Sequence, residues 1–222
     1  MEKWIFLSYF LDEKTPTYGN GKPFKYEVVN SIQQGDSCNS AQWTLSNHMG
    51  THIDCPFHFS NIGKKLTEYT ADFWIFNKIQ FLDISPVSPG TIINPIQISF
   101  KNILPDIELL IIKTGFCHYR NKPIYWNKNP GFSPEFAHYL RSNFNRLRAI
   151  GFDSISVSSW TNRALGRKTH KAFLEHDQPI LLIEDMDLSS IKNDTIFLQV
   201  IVSPLQVNNT DASPCTILGK KG

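Results

Sequence analysis

The chain has 222 residues, of which 41% are hydrophobic and 19% charged, with a formal net charge of +2. That composition suits one substantial globular core and excludes a disordered chain. The near-balanced charge disfavours a polyanion-binding surface, so nucleic acid is not an expected partner.

In chain order, the opening "MEKWIFLSYFLDEK" carries a short apolar run broken by Asp12 and Glu13. It is too short and too alternating for a signal peptide or a membrane span. "KWIFLSY", "AQWTLSNH", "FWIF" and "KIQFLDIS" read as strands, rich in Ile, Phe, Val and Leu. "TIINPIQISF" is ambiguous because Pro95 interrupts it, whereas "ELLIIKTG" is a strand apolar enough to be covered on both faces. One long helix is predicted within "FSPEFAHYLRSNFNRLRAIG". Ser133 can cap it, Pro134 suits its first turn, and Glu135 favours its positive end. Phe136, Leu140, Phe144 and Leu147 make its apolar stripe, and Gly151 is its stop. "FDSISVS" reads as the strand after it. A second helix is expected from near Thr169 to before Gln178-Pro179, feeding the strand "ILLIED", with "IFLQVIVS" as a later strand. The expectation is a mixed α/β fold with more strand than helix. Cys38, Cys55, Cys117 and Cys215 lie far apart with no paired spacing, which points to a reducing, cytoplasmic setting.

The stretch "HMGTHIDCPFHF" concentrates His48, His52, Asp54 and His58 at even positions. In a helix, His52 and Asp54 would face different ways, since two residues turn about 200°. In an extended chain they share a side, about 6.6–6.8 Å apart, and can converge on one ion. A straight strand from 48 to 58 would run roughly 33 Å, too far for one site, so the chain must bend. Gly50 and Pro56 are where it can, and Thr51 can secure the bend. Imidazole with carboxylate suits zinc, manganese or iron rather than calcium. Cys55, of opposite parity, is expected to pack behind the site.

"HMGTHIDCPFHF" fits the H-x-G-T-H-x-D-x-P-x-H pattern of the metal-dependent cyclase-like hydrolases, whose best-known members are bacterial kynurenine formamidases. "FLSYFLDEKTPTYG", "IIKTGFCHYRN", "NPGFSPEFAHYL" and "NTDASPCTIL" resemble further segments of that family, in its order. The resemblance implies a swivelling β/β/α fold with mixed sheet and few helices, forming one domain over 1–222. It implies two divalent metal ions, zinc first and manganese second. His48, His52 and Asp54 would hold one. Asp54 would bridge to the other, held also by His170 and Glu184; His176, Glu175 and Asp185 are rival positions.

The implied reaction is hydrolysis of an N-formyl aryl amine by metal-activated water. His58, beyond the bend at Pro56, is assigned to proton transfer, against the competing view that it ligates metal. Tyr18, Phe57, Phe59 and Trp160 are candidates for an aromatic slot. The chain departs from the family in "GFDSISVSS", where Ser158 replaces a usual Asp, and in the following "SSWTNRALGRK". Arg163, Arg167 and Lys168 there can bind a substrate carboxylate or simply be solvated. The resemblance thus implies a small aromatic amide as partner, no membrane, and a homodimer. The alternatives are a cyclic amide such as isatin, or metal binding without catalysis.

Overall fold

The structure, a computed structural model, describes residues 3–100 and 103–222. The strands are β1 (Lys3–Phe6), β2 (Lys25–Asn30), β3 (Ser40–Thr44), β4 (His52–Asp54), β5 (Ile75–Phe76), β6 (Ile79–Asp83) and β7 (Ile92–Ile93). Then come β8 (Leu109–Lys113), α1 (Ile124–Asn127), β9 (Gly131–Phe132), α2 (Pro134–Asn143) and β10 (Ala149–Phe152). The chain continues through α3 (Arg163–Leu174), β11 (Leu181–Glu184), β12 (Phe197–Pro204) and β13 (Ala212–Lys221).

Among the described residues, nine strands join in the order β5-β12-β13-β4-β11-β10-β8-β6, with β1 also on β13. One half is parallel, β6 to β8 to β10 to β11. From β11 onward through β4, β13, β12 and β5 the pairing is antiparallel. The sheet curls until Phe81 of β6 meets Phe197 of β12, with ring centroids 6.2 Å apart. This makes a mixed, nearly barrel-like α/β architecture.

Strand parity divides the apolar residues between two cores. Leu109 and Ile111 of β8, Leu181 and Ile183 of β11 and Ile53 of β4 face the inside of the curl. Leu110 and Ile112, Ile150 and Phe152, and Leu182 face the layer of α2 and α3. Cys55 joins the inner core, behind the extended segment, as its parity requires. His52, Asp54 and Glu184 have the opposite parity, so they point toward the α3 side.

Several sequence expectations shift. α2 ends at Asn143, not at Gly151. The Asn143 side chain donates to the Tyr139 carbonyl at 2.8 Å, competing with helix continuation. Phe144 and Leu147 keep their place in the core from the turn that follows. Gly151 lies inside β10, where an added Cβ would sit 2.4 Å from the Met186 sulfur. The strand expected in "FDSISVS" is β10 just before it. Residues 153–159 form a buried, irregular segment, because Asp153 turns its carboxylate onto the Thr114 and Gly115 amides and the Thr114 hydroxyl. α3 starts six residues before Thr169, where the Asn162 side chain caps the Leu165 amide at 3.2 Å. "FWIF" divides into the end of a 3-10 turn and the two residues of β5, and "TIINPIQISF" resolves into β7 and a 3-10 turn that starts at Pro95.

Candidate metal centre and active site

The chain enters the site through a left-handed turn at Gly50, φ +63°, where a Cβ would lie 2.5 Å from the Leu11 side chain. Thr51 anchors that turn: its hydroxyl donates to the Asp185 carbonyl at 2.5 Å and accepts the Tyr9 amide at 3.0 Å. β4 follows, extended, with His52 paired across to Glu184 on one side and Pro214 on the other. The 3-10 turn Pro56–His58 then folds His58 back toward the cluster.

Each of the four histidines has one ring nitrogen held, and in His48, His52 and His170 the other faces a carboxylate of the cluster. His52 Nδ1 donates to the Gly50 carbonyl at 2.8 Å. Its Nε2, which carries a lone pair when the ring is neutral, faces Asp54 Oδ1 at 3.5 Å and Glu184 Oε2 at 3.4 Å. His48 Nε2 and His58 Nδ1 share Asp211 Oδ2, at 2.9 and 2.7 Å. His48 Nδ1 is left 2.9 Å from Asp54 Oδ1. His170 Nδ1 lies 3.0 Å from both the Ser158 hydroxyl and the Gly166 carbonyl. Its Nε2 is 3.7 Å from Asp54 Oδ2 and 3.8 Å from Glu184 Oε1. Glu184 is steadied by the Val157 amide, which donates to Oε1 at 2.7 Å.

This donor set fits a divalent metal ion. His52 Nε2 and Asp54 Oδ1 are buried and lack a hydrogen-bond partner among the described residues. Lone pairs facing carboxylate oxygens repel one another unless a cation lies between them. Donor atoms of His48, Asp54 and His58 lie within 4.8 Å of one another, as do those of His52, Asp54 and Glu184. The grouping differs from the expected one. His58 joins His48, and His52 joins Glu184, while His170 approaches Asp54 and Glu184 from α3. Asp54 belongs to both groups. Holding each imidazole by its far nitrogen is the usual way a protein orients metal-binding histidines.

The electrostatics agree. Burial works against charge on His48, yet Asp54 and Asp211 outweigh it and push the imidazole up to about 10. Burial also opposes charge on His52, where Glu184 and Asp54 prevail and raise it. Burial opposes the Asp54 carboxylate too, but His48, His52 and His58 hold it well below the carboxylate range. Hydrogen bonds from His48 and His58 do the same for Asp211. At His170 burial wins over Glu184 and Asp54, so this imidazole is shifted toward the neutral form a metal needs.

The cluster floors a pocket of about 300 Å³. His48, His52, Asp54, His58, His170 and Glu184 all line it, with Tyr18, Phe59, Ile155, Arg163 and Arg167 on its walls. Phe59 stacks on His170 at 4.8 Å. Phe57, by contrast, is outside the lining and lies under Lys65, 5.0 Å from its ring. Trp160 is one layer back, edge-on to Tyr18 at 5.0 Å. Burial and Glu184 push the Tyr18 hydroxyl up to about 12, against Arg163 and Arg167. Of the rival ligand positions, Asp185 turns away, with φ +54°, to pair with Arg120 at 2.8 Å. Glu175 and His176 are exposed. Asp211 is the site residue the sequence reading missed; its only signal was the "NTDASP" turn.

A mixed α/β sheet cradling a buried imidazole–carboxylate centre defines the class: a protein built to hold a divalent cation at the floor of a pocket. Residues 5–159 match the family model described as "Putative cyclase", and the chain belongs to that family. It is 30% identical over 218 residues to the kynurenine formamidase of Geobacillus thermodenitrificans (strain NG80-2), covering 96% of this chain and 95% of that protein. To the kynurenine formamidase of Bacillus anthracis it is 28% identical over 216 residues, covering 96% and 94%. Among solved structures, isatin hydrolase A from Labrenzia aggregata, bound to benzyl benzoate, superposes with a TM-score of 0.82 at 18% identity, covering 99% of this chain and 93% of that one. A "predicted metal-dependent hydrolase from Bacillus stearothermophilus" does so at 0.74 and 20%, covering 99% and 98%. Among the described residues no helix is long and apolar enough to cross a membrane.

Proposed function

We propose that this chain is a cytoplasmic arylformamidase acting as one domain, which hydrolyses the C–N bond of N-formylkynurenine-type formanilides to the aryl amine and formate. The observation that carries the reading is the likeness to kynurenine formamidases along 96% of the chain. The site supplies the chemistry. His48, His52, Asp54, His170 and Glu184 would hold two divalent ions, zinc first and manganese second, with Asp54 shared. Such ions supply Lewis acidity, making water nucleophilic near neutral pH and polarising a carbonyl.

The remaining work falls to side chains. An aniline nitrogen leaves poorly as an anion and must gain a proton as its bond breaks. His58 is the group we assign to that transfer, which is supported by Asp211 holding its Nδ1 and by its place in the pocket lining. Asp211 is a positioning residue, fixing the ring so that Nε2 carries the exchangeable proton. Tyr18, Phe59 and Ile155 supply the apolar wall for an aryl ring.

A screen of metal-loaded protein over N-formylkynurenine, other formanilides, isatin and simple esters tests the reading. Turnover led by formanilides supports it. Isatin as the sole substrate would move the activity to cyclic amides, the reading that the fold likeness to isatin hydrolase A favours. His58→Ala should keep its metals and lose about 10²–10⁴-fold in formanilide turnover, with a smaller loss on an activated aryl ester. Metal loss in that variant would make His58 a ligand.

We also assign the β2–β3 ribbon to pairing with a second copy of the chain. It exposes Tyr26, Val28 and Trp43, 52 to 63% accessible, an apolar surface that monomers rarely leave in water. Sedimentation should show a dimer that Val28→Lys with Trp43→Glu dissociates.

A further inference from the structure

We propose that Arg163 and Arg167 form a carboxylate-recognition site at the mouth of the pocket, selecting an aryl amide that bears a carboxylate on a short arm. This rests on the amide-hydrolase reading above.

Both arginines lie on α3, four residues apart and hence on one helix face. His170, seven residues after Arg163, continues that face to the cluster. Along the helix axis Arg167 stands roughly 4.5 Å from His170 and Arg163 roughly 10.5 Å. One face of one helix therefore runs from the reacting centre at the bottom to two guanidiniums at the rim. A substrate lying along it places its amide at the cluster and an anionic arm beside the arginines.

Neither guanidinium is already engaged. Arg120, Arg141 and Arg148 are each held by a carboxylate or backbone carbonyls. Arg163 and Arg167, both lining the pocket, make no ion pair or hydrogen bond among the described residues. The nearby carboxylates are occupied elsewhere. Asp211 takes His48, His58 and Asn47, and Glu184 takes the Val157 amide and faces His52 and His170. Arg163 also rests over the Trp160 ring at 4.8 Å, a contact that braces the side chain without using its N–H donors in a hydrogen bond. Trp160 is in turn pinned by Tyr18, 5.0 Å away, and by Gly19, where a Cβ would fall 2.2 Å from the indole. A planar, braced donor edge beside an apolar wall is suited to a carboxylate.

The test uses metal-loaded wild type, Arg163→Gln, Arg167→Gln and the double variant. The substrates are a 2-formamidophenyl ketone ending in a carboxylate and its neutral carboxamide counterpart. Wild type should prefer the acid in kcat/KM, and each substitution should reduce the preference roughly tenfold to a hundredfold. The double variant should bring the ratio near one. Equilibrium binding of the two corresponding aryl amine products is measured in parallel. A wild-type ratio near one, or a ratio unchanged in the double variant, overturns the proposal. If no formanilide is hydrolysed at all, binding decides. Arginine-dependent preference for the acid product keeps the anion site while the hydrolase reading falls. Equal binding of acid and amide overturns the site.

Discussion

Replacing Gly166 by alanine should destabilise the protein and loosen its metal centre. Judged as a helix interior position, the change ought to help, since alanine is favoured over glycine by about 1 kcal/mol. The tertiary packing reverses the sign. A Cβ at 166 would lie 2.1 Å from the Ser158 hydroxyl oxygen, 2.4 Å from its Cβ and 3.0 Å from its Cα. Rotating the serine side chain relieves only the first of these, so α3 and the 156–159 segment must separate. Overpacking of this kind costs typically 1–3 kcal/mol, and the buried Ser158–His170 hydrogen bond adds about 1 kcal/mol. After the helix gain is subtracted, a net loss of about 2 kcal/mol remains. For a chain of this size that lowers Tm by about 4–8 °C. The assay is thermal unfolding with and without chelator, together with metal content. Because the displaced atoms orient His170, the variant should also lose part of the Tm gain that metal confers. Ser158→Gly removes the two closest obstructing atoms but also the His170 hydrogen bond, so it should restore part of the Tm in the Gly166→Ala background, and the double-mutant cycle measures the coupling. A Gly166→Ala protein with raised Tm and full metal content would refute the reasoning.

Protein reconstituted with zinc or manganese should bind two ions per chain, and His170→Ala should remove one; a saturating content of one ion, unchanged in the variant, excludes the second site. Asp54→Ala should cost more metal than any single histidine change, because Asp54 faces His48, His52 and His170 together; retention of both ions in Asp54→Ala would end its shared role. Asp211→Asn should weaken metal binding through His48 and, at saturating metal, depress formanilide turnover more than ester turnover, through loss of the charge that orients His58; equal slowing of both substrates at saturating metal would count against that assignment. The fourth expectation concerns pH. His48 is raised from 6.5 to about 10 in the metal-free fold, so its stabilisation is complete below about pH 6.5 and fades as pH rises toward 10. Asp54 and Asp211 are lowered, so their contribution holds above their ordinary value of 3.8 and is lost on further acidification. Metal competes with the protons on His48, so the Tm gain from metal should grow between pH 5 and 8. A gain that is flat or largest at pH 5 would contradict this.

The sequence by itself determined the centre of the site. His52 and Asp54 share a side because the chain between Gly50 and Pro56 is extended, and both bends lie where those two residues stand. It also placed most strands, since alternation and β-branched runs are local signals. Helix ends were less legible. The cap at Asn162 and the early end of α2 at Asn143 depend on side chains that compete for backbone groups, which apolar spacing does not register. The resemblance favoured Glu184 over Asp185 without a geometric reason, which the tertiary structure supplies. Register on β4 turns the first toward His52, and a left-handed backbone turns the second to Arg120. It alone brought in Asp211, 153 residues from His58, through the pairing of β13 with β4. It also separated Phe59, on the pocket wall, from Phe57 outside it. Such choices follow from strand register and the meeting of distant segments, which local patterns along one chain do not encode.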